Sequence, residues 1–398
     1  MGFLAKTLTI FRLLNSTKTK EKRFSPFSLG GCVSRISKFA LVLVLFFSFG
    51  GNLVTNLAHA AEKKITLALT TEPPNLDSSK ATDAESFFVV GHTMEGLTRY
   101  DKLGKIAPGV AEKWELNDKT AKFTLNKNAK WSDGKPVTAK DFVYSWQRGV
   151  DPKTASEYAF ILYPIKNGEA INKGEKPLKD LGVVAKDDYT LEITFEKPCG
   201  HFLGLVSFPT YYPQREDFVK PLGETYASGA DKLLYNGAFK LTNWIHGASL
   251  KMQKNPFYWR ASEIQIDEID IPYITPDDSA RFNLFKTQKI DYLSLTKENL
   301  INAQREKFKL NRFSDGTLFY IQMNFRDGRV TKNHNLRKAL QMVVNLPEYV
   351  SRVIGIPGTE TAYGLIPSWM MGEKQLFRKE FPVPVTKPNV KKKKKYLA

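Results

Sequence analysis

The chain has 398 residues, 42% of them hydrophobic and 25% charged, with a net charge of +18, which is material for two or three domains around a large core. The positive balance sits largely at the ends: residues 1–60 hold eight Lys/Arg and one acidic residue, and residues 391–395 are five consecutive lysines. The body between them is mildly basic, with no Arg-rich stripe and no basic-aromatic motif, so a nucleic-acid partner is disfavoured.

The first 60 residues read as a leader. Basic residues at 18–23, Arg35 and Lys38 precede an apolar run at 39–49, and Ala58-His59-Ala60 places small residues at −3 and −1. This order predicts a secretory signal peptide cleaved after Ala60. The apolar run is shorter than the ~20 residues a spanning helix requires, which disfavours a permanent anchor. Leu29-Gly30-Gly31-Cys32 resembles a lipoprotein box, but it precedes the apolar run instead of ending it. Loss of the leader leaves Cys199 without an intrachain partner, and its expected role is that of a small buried hydrophobe.

Beyond the leader, residues 65–69 read as a short apolar strand ended by "EPPNLD" at 72–77. Residues 84–96 read as a helix stopping at Gly96, and residues 122–125 alternate as a half-buried strand. The string "KWSDGKPVTAKDFVYSWQR" at 130–148 contains a turn at Trp131-Ser132-Asp133-Gly134, a helix N-cap at Thr138 and an apolar face of Phe142, Val143 and Trp146. Residues 159–171 are mixed in period, whereas 189–195 alternate as a strand. "NGAFKL" at 236–241, followed by Trp244, predicts a turn and a strand pairing with 250–254, closed by "NPFYW" at 255–259. Residues 264–274 read as a strand, 278–286 as a short helix, 288–292 as a return strand, 318–325 as a further strand and 336–345 as a helix. Trp131, Trp146, Trp244 and Trp259 are expected in the core.

Catalytic signals are absent. The sequence has no G-x-S-x-G, H-E-x-x-H, Walker A or G-x-G-x-x-G string, and His92, His201, His246 and His334 lack ligand spacing. The pairs Asp187-Asp188 and Asp277-Asp278 sit at turns, where capping is the expected role. No enzyme activity, metal or cofactor is expected.

Several strings together carry a resemblance. "WSDGKPVTAKDFVYSWQR" with "DPKTASEY" at 151–158, the opening "EPPNLD", and "NGAFKL…W" followed by "KNPFYW" in that order are similar to bacterial extracellular solute-binding proteins of the peptide/nickel class, above all to their oligopeptide-binding members. The resemblance implies an α/β fold of the periplasmic binding protein type II kind: two lobes joined by a hinge, plus an additional domain. It places lobe I at 61–94 and 216–317, the additional αβ domain at 95–215, and the start of lobe III at 318–398. By the same likeness, the terminal lysine run falls where the family has a "KKLLAEAGY"-like helix. The expectation is therefore a binding protein interrupted inside its last lobe, either as a product without function or with a solvated basic tail as the alternative.

The implied function is the periplasmic substrate-binding component of an ABC importer, monomeric and handing peptides to inner-membrane permease subunits. It would enclose an oligopeptide by lobe closure and hydrogen-bond its backbone as an added strand. Carry-over by position gives Thr82 and Ala84 beside the peptide backbone and Tyr158 in a pocket. Tyr320 and Gln322 fall near the cleft, and Ser294 is the weakest of the set. Relatives often have a glutamate where Thr82 stands and an acid where Gln322 stands. Murein-peptide, dipeptide, nickel or haem binding, a peptide-sensing receptor and a secreted hydrolase remain as alternatives.

Overall fold

The computed structural model describes residues 2–4, 8–11, 63–102, 104–312, 318–368, 370 and 372–383. The leader's basic region, its apolar run, Ala58-His59-Ala60 and the lysine run lie outside the described residues.

Two four-stranded sheets organise the chain. In the first, β10 (Phe239–Ile245), β11 (Ser249–Lys254) and β12 (Glu268–Ile274) form an antiparallel series, and β3 (Lys64–Leu69) adds in parallel to β12. Alternation in β10 and β11 directs Leu241, Leu250 and Met252 inward. A short antiparallel pair, β4 (Thr98–Tyr100) and β5 (Ile106–Pro108), precedes the second sheet, in which β6 (Ala111–Leu116), β7 (Thr120–Leu125), β8 (Val183–Asp187) and β9 (Thr190–Thr194) are all antiparallel in the order β6-β7-β9-β8. The helix of the signature string, α2 (Ala139–Val150), lies beside β8, and the earlier helix, α1 (Ala84–Thr93), lies beside β10. One apolar core runs from Leu69 through Trp131, Phe142, Trp146 and Phe202 to Ile271.

A smaller core follows around Phe282 and Phe285 of α3 (Asp278–Lys286), Leu293 of β13 (Tyr292–Ser294), and Leu300 and Ala303 of α4 (Lys297–Arg305). Two three-stranded sheets include the first residues of the chain. β1 (Gly2–Leu4) pairs with both β15 (Leu318–Tyr320) and β16 (Glu360–Ala362), and β2 (Leu8–Phe11) pairs with β13 and with β14 (Asn311–Arg312). The helix expected at 336–345 is α5 (His334–Val343), capped by the Asn333 side chain.

Several expectations shift by a few residues, each for a physical reason. Helix α1 ends at Thr93 because Met94 turns extended while its N–H still bonds Val90 O. The segment 94–96 is instead fixed from outside: Asn236 bonds both backbone groups of Glu95, and a Cβ on Gly237 would stand 2.5 Å from Met94 N. The strand expected at 264–274 begins at Glu268, after a 3-10 turn at Ala261–Glu263. β15 keeps three of the eight residues expected at 318–325. Gln288 adopts φ 64°, a left-handed conformation that glycine reaches at less cost. Trp131 and Trp146 are buried as expected, whereas Trp244 and Trp259 are only half-buried, each giving its indole N–H to a glutamate.

Candidate functional site

The loop between β3 and α1 carries "EPPNLD", and its prolines stiffen a segment that has no ladder partners of its own. Side chains pin it at both ends. At the first end, Glu72 accepts from the Trp244 indole (2.9 Å) and the Gly247 N–H (2.7 Å), and also meets His246 Nδ1 (2.7 Å). The bond to Glu72 and the Ser228 carbonyl raise the His246 pKa. A cleft of about 590 Å³ opens here between the loop, Tyr226, Trp244 and His246.

At the second end, Asp77 is held by Arg148, the last residue of the signature string. Arg148 Nη1 donates to Asp77 Oδ1 (2.8 Å) and Nη2 to Asp77 Oδ2 (2.6 Å). Gln214 bridges the pair, donating to Asp77 Oδ1 (3.0 Å) and Ser78 Oγ (3.0 Å) and accepting from Arg148 (3.1 Å). The guanidinium also faces the Tyr226 ring at 5.5 Å. Burial pulls the Arg148 pKa down, but the hydrogen bond and charge of Asp77 outweigh it, so the net shift is upward. Sequence reading quoted Arg148 and Asp77 within two separate strings and gave no sign that they meet across 71 positions.

The pinned loop delivers the start of α1. Asp83 caps it, accepting from Ser86 N at 2.8 Å, with Thr82 half-buried just before and Ala84 exposed just after. One turn along, Phe87 stacks on Tyr158 with ring centroids 6.2 Å apart. Tyr158 therefore meets α1 at Phe87, one turn beyond Ala84. Ser294 and Tyr320 are exposed on β13 and β15, and Gln322 is exposed just past β15. Among the described residues, no hydrogen bond or ring contact joins these three to the Thr82–Tyr158 group. Sequence reading found Tyr158 and missed its ring neighbours Phe87, Phe160 and Phe208, which lie in segments with no common periodicity.

Two buried carboxylates, Glu95 and Asp141, are held by groups away from this loop. Glu95 accepts from Tyr258 Oη and Trp259 Nε1, both at 2.7 Å, and burial raises its pKa against these bonds. Asp141 accepts from Thr138 N (2.8 Å) and Trp131 Nε1 (3.1 Å), and burial pushes its pKa up to about 6. Because Asp141 holds its proton in the folded chain from its unfolded value of 3.8 to about 6, the unfolded chain ionises first as pH rises. Stability contributed by this group is thus highest below pH 4 and declines until about pH 6; Glu95 acts in the same sense. Replacing Asp141 with asparagine is expected to flatten the fall in the urea midpoint across that interval. An unchanged slope in the variant would refute the assignment.

The remaining candidates have structural partners. Asp187 and Asp277 cap the backbone at Tyr189 and at Ser279 and Ala280, as their turn positions imply. His92 Nδ1 meets the Phe88 carbonyl of its own helix at 2.7 Å, and burial lowers its pKa. Cys199 is buried, and that burial raises its thiol pKa.

Comparison with known proteins adds an independent line. Residues 105–398 match the family described as bacterial extracellular solute-binding proteins, family 5 Middle. The dipeptide-binding protein DppE of Bacillus subtilis is 33% identical over 340 residues, covering 85% of this chain and 62% of DppE. The substrate-binding domain of an oligopeptide ABC transporter from Bacillus anthracis superposes with a TM-score of 0.74 at 39% identity, covering 85% of this chain and 66% of that one. Listeria monocytogenes OppA bound to peptide gives 0.71 at 32%, covering 85% and 67%. The chain spans about 60% of the length of the curated relatives it matches.

Proposed function

The chain belongs to the family 5 bacterial extracellular solute-binding proteins, and from that premise we propose that it captures oligopeptides as the extracytoplasmic substrate-binding component of an ABC importer. The observation carrying this reading is the start of α1: Thr82 and Asp83, half-buried, and Ala84, exposed, sit at the end of a loop held by the Glu72 and Asp77 anchors, one turn before Phe87 and its ring partner Tyr158. Exposed backbone at a fixed position suits a ligand recognised by main-chain hydrogen bonds, which are indifferent to peptide sequence. In this reading Thr82 and Ala84 face the peptide backbone, Tyr158 lines a side-chain pocket, and Tyr320, Gln322 and Ser294 approach from the later part of the chain. Residues 61–94 and 216–317 form one lobe, 95–215 the additional domain and 318–398 the start of the opposing lobe.

The leader directs export, with cleavage after Ala60 taking β1 and β2 away from the sheets they join in the uncleaved chain, and the mature chain delivers its cargo as a monomer to permease subunits in the inner membrane. The peptide leaves chemically unchanged. Dipeptide capture is a second reading, favoured by the likeness to DppE. Calorimetric titration with alanine peptides of two to six residues tests both. Micromolar binding (about −8 kcal/mol) that strengthens from three residues upward supports oligopeptide capture, and a maximum at two residues supports the second reading. No binding at any length, or recovery of cleaved peptide, overturns both.

A further inference from the structure

The turn of the β10–β11 hairpin carries a histidine whose two ring nitrogens both face acceptors. His246 Nδ1 lies 2.7 Å from Glu72 Oε1, and Nε2 lies 3.1 Å from the Ser228 carbonyl oxygen. A neutral imidazole has one N–H, so either tautomer would set a ring lone pair against an oxygen lone pair. The imidazolium satisfies both oxygens, with one N–H donating to each. Glu72 is fixed as an acceptor, because the Trp244 indole and the Gly247 N–H already donate to its two oxygens. The His246 side chain is 59% exposed, so its proton exchanges freely with solvent.

This ring joins the two anchors of the "EPPNLD" loop. On one side it bonds Glu72 directly. On the other it bonds the carbonyl of Ser228, two residues past Tyr226, whose ring faces the Arg148 guanidinium that grips Asp77. The cleft of about 590 Å³ lies between these segments, and its charged lining is Glu72, Glu224 and His246, with no lysine or arginine. The charged groups that share the cleft with His246 are thus both carboxylates. Trp244, with its ring centroid 4.3 Å from that of His246, is neutral, and burial raises the pKa of Tyr226 so that it stays protonated.

We propose that His246 is a positioning residue for peptide capture: its imidazolium ties the Glu72 and Asp77 anchors together across this cleft, and loss of the proton loosens the loop that delivers Thr82 and Ala84 and weakens the hold on peptide. The inference rests on the peptide-capture reading and adds a pH dependence to it. The sign follows from the partners. The bond to Glu72, then the Ser228 carbonyl, keep the proton on the ring above the ordinary imidazole range. The clamp is therefore complete below the unperturbed value of about 6.5 and opens as pH rises through the raised value.

The experiment is calorimetric titration of the full chain with tetra-alanine at about pH 5.5 and about pH 8.5, on either side of the imidazole transition. Between the two, affinity should fall about three- to fivefold further in the parent than in His246→Gln, whose side chain does not titrate. The peptide's own α-amino group titrates at about 8 in every case, so it cancels in this comparison. His246→Arg keeps charge and donors at both pH values, and it should retain the tighter binding while losing the extra fall. Proton NMR of the ring should place the His246 transition above about 6.5 in the parent and lower it in Glu72→Gln. A pH dependence shared equally by the parent and His246→Gln, or a ring transition that Glu72→Gln leaves unmoved, overturns the role of His246 and leaves peptide capture standing. Failure of the peptide to bind at either pH overturns peptide capture itself, and the positioning role with it.

Discussion

Replacing Arg148 with methionine is expected to destabilise the folded chain by about 3–5 kcal/mol, the cost of leaving a buried charge unpaired. The side chain of Asp77 is 4% exposed and that of Arg148 15%, so neither can turn to water when the other is removed. Asp77 would retain Gln214 and the Ser79 N–H but lose both guanidinium bonds. A neutral pair provides the control. Asp77→Leu combined with Arg148→Met removes both charges and should recover much of the single-variant loss, because apolar replacements of buried ion pairs often restore stability. Urea denaturation of the three variants reads the coupling directly. A single variant within about 1 kcal/mol of the parent, the range of an exposed ion pair, would show that the pair is solvated. The functional effect should exceed the stability effect near the site, since Asp77 fixes the loop that delivers Thr82 and Ala84.

Trp146→Ala is the second large effect, at about 3–5 kcal/mol by analogy with other large aromatic truncations in cores. Its indole is fully buried, donates to the Tyr211 carbonyl at 2.8 Å and packs edge-on against Tyr211 (5.1 Å), Phe142 (6.2 Å) and Phe202 (6.4 Å). The cavity left behind has rigid rings on three sides, which limits collapse and keeps the cost high. Trp146→Phe keeps a ring but orphans the Tyr211 carbonyl, so a loss of about 1–3 kcal/mol is expected from that group alone. Equal losses in the two variants would mean that the hydrogen bond, and not the ring packing, holds this part of the core.

Local patterns made much of the fold legible. Thr138 begins α2, Phe142 and Trp146 face inward from it, and the alternation at 189–195 and 236–254 becomes β9 and the β10–β11 hairpin. In each case the signal is a periodicity that the residues carry themselves. The expectations that moved depend on distant partners. The end of α1 is fixed by Asn236, more than a hundred positions away, and Trp244 is held half-open because Glu72 needs its N–H. String similarity proposed Thr82, Ala84 and Tyr158 as site residues, and the structure links Tyr158 to α1 through the Phe87 ring. The site's supports and ring neighbours, Arg148 with Asp77 and Phe87 with Phe208, meet only after folding, and no spacing rule links them.

The parallel pairing of β3 with β12 has a consequence in time. Lys64 bonds Asp270 across 206 positions, and β3 has no other strand neighbour in its sheet. At ribosomal rates of about 5–20 residues per second, the β3 segment waits roughly 10–40 s for β12 to be made. During that interval, Ile65, Leu67 and Leu69 and an unpaired strand edge are open to whatever binds nascent chains, and to aggregation if nothing does. Closing so long a loop also makes the first sheet slow to complete once its parts exist. The β6–β9 sheet draws its strands from residues 111–194 and can be complete while β12 is still unmade. The middle of this polypeptide is therefore expected to fold before its beginning.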